Sequence, residues 1–262
     1  MKKYFRVYKS LLIFNWNALI VYRIDFFTRL LTSILYTAYH VLAIFILTNT
    51  VSSVFGWSRY ELLLLASSYS IFIGLFHAFI SRNIHRLSEE IYYGRLDYLL
   101  VKPIDSQFSA TLWTVDFISF FRIGIGMLLS WYFVSVLHLT ITVLTITLYV
   151  AAMVMGLSIL YSIWLSVISL TIFNPRLSNL IDLLYHISEL TRYPRDMYQH
   201  LSLFIFSMIF PFTLVLIPST KILLHTFGLF QLSETVGMSV VLFLVSRFIW
   251  MHSLKYYASA SS

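Results

Sequence analysis

No cysteine occurs in the 262 residues, which excludes a disulfide framework, a thiolate metal site and a thiol nucleophile alike. Charge is scarce too: Asp, Glu, Lys and Arg make up 11% of the chain, where soluble domains carry about a quarter. Only eight glycines are present, none in the glycine-rich loop ending in Lys and Ser or Thr that cradles nucleotide phosphates. The eight histidines include no His-Glu-x-x-His pair of the kind that holds zinc on one helix face, so no metal site and no cofactor are expected on this chain. Apolar residues, by contrast, reach 59%. A balance that far from a soluble domain indicates an all-α integral membrane protein whose partner is the lipid bilayer. The net charge of +7 comes from Lys and Arg clustered beside apolar runs, where they set orientation and meet anionic head groups, so no nucleic-acid partner is expected.

Read in order, residues 1–22 place Lys2, Arg6 and Lys9 on one helical face and Phe5, Tyr8, Leu12, Trp16 and Leu19 on another, as in an interfacial elbow helix or the start of a tilted span. Asn15, Asn17, Arg23 and Asp25 interrupt the early apolar run, which argues against a cleaved signal peptide. Spans are expected at about Leu30–Asn49, Tyr60–Ile80, Ile123–Leu139, within Thr140–Phe173, at Leu177–Leu190 and at Thr235–Leu254, giving six in one transmembrane domain of 1–262. Arg122 is expected to snorkel to the inner head groups, and Gly124 and Gly126 to allow close helix packing. In the fifth span Asp182, His186 and Glu189 share one face, which must be covered by a pathway, a subunit contact or another helix of the same chain. Pro194, Pro211 and Pro218 break the segment 192–228, as in external re-entrant helices. On this map 14 of the 18 Lys and Arg lie on the cytosolic side or at its interface, and both termini are cytoplasmic.

The loop 82–109 between the second and third spans is the longest charged and turn-marked interruption. Gly94 punctuates a helical run, Leu96, Leu99 and Leu100 recur at helical spacing, and Lys102-Pro103 reads as a stop, which predicts a short amphipathic helix. The run from Gly94 through Arg95, Leu96, Asp97 and Leu100 to Pro103 resembles the cytosolic motif of type-2 ATP-binding-cassette (ABC) exporter permeases, in the daunorubicin-resistance-like and bacteriocin-export-like branch. Arg192-Tyr193-Pro194 with Tyr198, Pro211 and Pro218, and the tail from Leu254, follow in the order that family shows. The resemblance implies a bacterial plasma-membrane exporter permease for a drug, peptide or lipid. It also implies a cytosolic ABC ATPase dimer that holds the ATP and Mg, a second permease copy or paralogue, and 94–103 as the coupling helix gripped by the ATPase.

Two other readings compete. The polar face of the fifth span would suit an ion- or proton-coupled carrier. Glu89-Glu90 with Arg95 and His85 resembles the glutamate pair of membrane-embedded prenyl-protein proteases, but Arg95 stands five residues after Glu90 where that family has four, with Gly94 in the expected place.

Overall fold

The computed structural model describes residues 2–21, 23–49, 53–174, 177, 179–198 and 202–257. Helix α1 (Lys2–Val21) is followed by α2 (Arg23–Leu47) and by a hairpin, β1 (Ser53–Val54) and β2 (Trp57–Ser58), whose turn puts Phe55 and Gly56 in the left-handed region. The Glu61 carboxylate accepts from the Ser58 backbone N–H at 2.7 Å and starts α3 (Arg59–Phe76). No proline interrupts the run and Gly74 is covered by Ile123 and Ser119, so α3 runs through a π turn (His77–Ser81) into α4 (Arg82–Tyr92) as one helix of 34 residues. At about 1.5 Å per residue it is roughly 50 Å long and overshoots a hydrocarbon layer of about 30 Å. The second span thus continues well past the expected Ile80, because α4 buries Ile84, Leu87 and Ile91 on one face and leaves Arg82, His85 and Glu89 exposed on the other.

Among the described residues, five helices are long and apolar enough to cross a bilayer. They are Phe26–Ile46 in α2, Arg59–Tyr92, α7 (Ser119–Val136), α8 (Val143–Thr171), and α11 (Leu229–Ser253) with its extension to Tyr256. The chain is a multi-pass membrane protein. The fifth span expected, at Leu177–Leu190, is not among these five. Its residues form α9 (Asn179–Ser188), ten residues or about 15 Å long, which passes into 3-10 turns at Glu189–Arg192 and Arg195–Tyr198. Among the described residues the segment expected as a proline-broken pair holds the 3-10 turn Arg195–Tyr198 and the helix α10 (Leu203–Leu223), with Pro211 and Pro218 inside it and an apolar stretch Ile209–Leu223. Prolines are tolerated there because neighbouring helices cover the backbone, and α10 packs along α8 and α3.

Burial ranks the helices. The hydrophobic stretch of α3 is 78% buried, against 17% for those of α2 and α11, so α3 is the hub and the other two face lipid or another subunit. Small residues let its neighbours close in. A Cβ on Gly126 of α7 would stand 2.9 Å from the Ile71 nitrogen, and Ser130 donates to Ser67 at 2.9 Å. Gly124, the other glycine expected at a helix contact, faces open space.

Candidate functional site

The segment between the second and third crossings is a folded knot with two ends tied down. The π turn is the first tie: it leaves the Ala78 carbonyl to accept the Asp116 backbone N–H at 2.9 Å. One turn later Asn83, fully buried, uses its whole amide. Its Nδ2 donates to the Phe79 and Thr114 carbonyls at 2.9 and 2.7 Å, and its Oδ1 accepts from the Thr114 N–H and hydroxyl at 2.7 and 2.9 Å. The chain entering α7 is thereby fastened to the helix leaving α3.

Beyond Tyr92 the helix stops because Gly94 takes φ +64°, which favours glycine. The expected amphipathic helix across 94–103 is in fact a single turn, α5 (Asp97–Leu100), cut short by Gly94 on one side and Pro103 on the other. Leu96 and Leu99 are 1% and 2% exposed and anchor the turn in the core. Leu96 therefore faces the core and not outward. Leu100 at 38% and Val101 at 82% point outward, with Asp97, Tyr98 and Pro103 also exposed. Arg95 Nε pairs with Glu90 at 3.1 Å and its guanidinium covers the Tyr93 ring. The Lys102 ammonium lies 3.5 Å from the centre of the Trp113 ring, and desolvation followed by the nearby Arg86 charge holds it below the usual lysine value. The tail supplies the second tie: Tyr257 donates its hydroxyl proton to the Gly94 carbonyl at 2.6 Å and accepts from the Leu96 N–H at 3.0 Å.

Past Pro103 the knot is bolted to the last crossing. Asp105 caps α6 (Ser106–Thr111) by accepting the Phe108 N–H at 3.0 Å, and both its oxygens receive the Arg247 guanidinium of α11 at 3.0 and 2.5 Å. Arg247 also donates to Gln107 at 2.7 Å, Gln107 to the Tyr161 hydroxyl of α8 at 2.7 Å, and Trp250 to Ser106 at 3.2 Å. A cavity of about 590 Å³ with apolar walls, including Phe79, Val154 and Phe243, opens beside this cluster. Hydrogen bonds from Arg247 lower the Asp105 pKa below its ordinary 3.8, more than desolvation raises it. A depressed carboxylate contributes stability that is complete above the unfolded value and lost as pH falls through the folded one. Thermal unfolding of the purified protein should therefore soften below about pH 3.8, and Asp105→Asn should remove that acid limb relative to wild type while lowering the neutral-pH midpoint.

Of the polar trio on the expected fifth span, Asp182 and His186 are exposed on α9 and so are not covered by another helix of this chain. Glu189 lies in the 3-10 turn after α9 and pairs with Arg192 at 3.2 Å. The opposite face of α9 is the packed one: Tyr185 meets the Trp164 ring at 4.5 Å and Ser188 accepts from the Trp164 indole at 3.0 Å. Arg122, expected to reach toward the inner head groups, has its partners on α2. It donates to Ser33 at 3.1 Å and covers the Tyr36 ring, because α2 lies against α7 there and offers a hydroxyl and a π face. The glutamate pair splits, His85 facing Glu89 at 3.6 Å and Arg95 taking Glu90, and no metal-holding group of three His, Asp or Glu occurs among the described residues. Asp105, Gln107, Tyr161, Arg247 and Asn83 were not singled out by sequence reasoning, since their partners lie 31 to 142 positions away. The one available signal was Arg247 itself, a guanidinium inside an apolar run.

Residues 34–261 match the family model described as ABC-2 family transporter protein. No curated protein matches the chain, and no solved structure does.

Proposed function

The chain belongs to the ABC-2 family of transporter proteins, and from that premise we propose that it is the permease subunit of an ABC exporter whose knot at 82–116 is gripped by a cytosolic ATPase pair. As an ABC-2 permease it partners an ABC ATPase on a separate subunit. The exported substrate is amphipathic, six crossings are reached by counting the α9 segment, and both termini face the cytosol, in keeping with the Lys and Arg bias. The permease pairs with a second copy or a paralogue, and the exposed Asp182 and His186 of α9 lie at that contact or on the path. Asp97 contributes a charged contact to the ATPase.

One observation carries the reading. An apolar turn, Leu100-Val101, stands exposed at the charged end of a helix too long for the bilayer, while its roots Leu96 and Leu99 are locked in the core. A motor pressing on that turn cannot merely deform a loop. Through Gly94 and Tyr257 it moves the tail, through Asp105 and Arg247 it moves α11, and through Asn83 and Thr114 it moves α3 and α7 together. Nucleotide bound elsewhere thus biases a two-state rearrangement of the crossings.

The test is co-purification from native membranes. Wild type is expected to carry a nucleotide-hydrolysing subunit, and Leu100→Asp with Val101→Asp to lose it by at least about tenfold, since burying two carboxylates in an apolar contact costs several kcal/mol. Transport should fall with it. A carrier or a protease would be indifferent to these changes. Because the chain has no cysteine, Tyr98→Cys supplies a unique thiol. Labelling of that thiol by an impermeant maleimide added to intact cells would overturn the reading.

A further inference from the structure

A second cavity, of about 530 Å³, lies between α2, the π turn and start of α4, the chain entering α7, and α9, with Tyr185 of α9 on its wall. Its chemistry is opposite to that of the apolar-walled one. Arg29, Arg82 and Arg122 line it with one carboxylate, Asp116, so cations outnumber anions in its wall. Asp116 is already engaged, by Arg82 at 3.6 Å and by the Ser119 hydroxyl at 2.7 Å. Arg122 reaches Ser33 and the Tyr36 ring, neither of which neutralises a guanidinium. Thr32, Ser33, Ser81, Ser119 and Tyr185 bring hydroxyls to the wall, Ser81 and Tyr185 hydrogen-bonded to each other at 3.0 Å, and His77, His85 and Ile118 complete it. Guanidinia lining one cavity raise its positive potential, and an entering anion lowers it.

We propose that this cavity binds a phosphate-bearing anionic headgroup, with Arg122 at its inner end and Arg29 and Arg82 at its mouth. Guanidinium forks match phosphate oxygens two at a time, and hydroxyls complete the shell as donors. The volume falls in the range of about 300 to 1,000 Å³ typical of small-ligand sites. An amphiphile whose headgroup sits here keeps its tails in the surrounding bilayer, and this is the molecule we assign to the site. The leaflet it comes from rests on the orientation proposed above, whereas the binding itself does not.

The experiment uses the full chain purified in an uncharged detergent, without any ATPase, so that failure of the motor-coupled reading and failure of this one are distinguishable. Retention of phosphatidylglycerol, phosphatidylcholine and inorganic phosphate is measured by native mass spectrometry and titration. Wild type is expected to hold phosphatidylglycerol about tenfold more tightly than phosphatidylcholine, the size of one charged hydrogen-bond set. Arg122→Gln and Arg82→Gln should each lower phosphatidylglycerol binding about tenfold and leave phosphatidylcholine unchanged. Asp116→Asn removes the opposing charge while keeping a hydrogen-bonding side chain, and should tighten binding, which no misfolded protein would do. Inorganic phosphate that binds as tightly as the lipid, with the same arginine dependence, would support the headgroup chemistry and identify the source as soluble phosphate. Equal retention of the anionic and zwitterionic lipids, or no tightening in Asp116→Asn, overturns the proposal.

Discussion

Valine at position 156 is expected to leave no folded permease. Gly156 sits midway along α8, and a Cβ built there falls on the backbone carbonyl of Val215 in α10, with Phe72 of α3 close behind. A side chain in that position could rotate away, but a carbonyl held in a helix cannot, so accommodation requires α10 to shift as a body. Overpacking a core with one or two methyl groups ordinarily costs about 1 to 3 kcal/mol, and a collision with backbone lies at or above the top of that range. Moving α10 would also disturb Val215 and Leu216, both fully buried on α8 and α3. Gly124→Ala is the matched control: its Cβ meets nothing, and alanine is the better helix former by about 1 kcal/mol. Size-exclusion profiles and thermal unfolding in detergent decide the matter. A Gly156→Val protein as monodisperse and as heat-resistant as Gly124→Ala would show that α8 and α10 do not approach this closely.

The contrast between these two glycines also marks how much of the fold was legible. Gly126 was read as a packing residue and is one, whereas Gly124, two positions away, faces open space; periodicity places a residue on a face but does not say which face meets a neighbour. Long apolar runs located most crossings because a bilayer imposes length. The run at Leu177–Leu190 differs in form: composition suggested one continuous span, and the chain there is a ten-residue helix that passes into tight turns. At 94–103 Gly94 and Pro103 were correctly read as punctuation, and their closeness leaves room for one helical turn where a longer amphipathic helix was expected. Leu96 and Leu100 then diverge, one buried and one exposed, since a single turn anchored by Tyr257 has one inner face. The bolts were invisible because they are pairings at a distance. Asp105 and Arg247 stand 142 positions apart, and nothing in the sequence pairs the one with the other.

Asn83→Ala should be the most damaging polar change in the knot and should separate stability from coupling. All four hydrogen-bonding positions of the Asn83 amide are used inside a fully buried site, so truncation strands the Thr114 N–H and two carbonyls with no water to replace the lost partner. Each buried group left unmade costs about 1 to 3 kcal/mol, which puts the total near or above 3 kcal/mol and predicts a large fall in the unfolding midpoint. Asn83→Asp keeps the acceptor but loses both donations and buries a charge, so it should do no better. The functional consequence follows from where the strand ends. Thr114 leads within a few residues to Asp116, Ser119 and α7, so a loosened Asn83 frees the third crossing from the helix that carries the exposed Leu100-Val101 turn. The apolar turn itself, rooted through Leu96, Leu99 and Tyr257, stays formed. Below its lowered midpoint the variant should therefore still retain the ATPase while transport per ATP hydrolysed falls, the inverse of the Leu100→Asp, Val101→Asp result. If Asn83→Ala lost ATPase binding and transport in equal measure, or neither, then the knot would not be the rigid lever between motor and crossings that its hydrogen bonds make it.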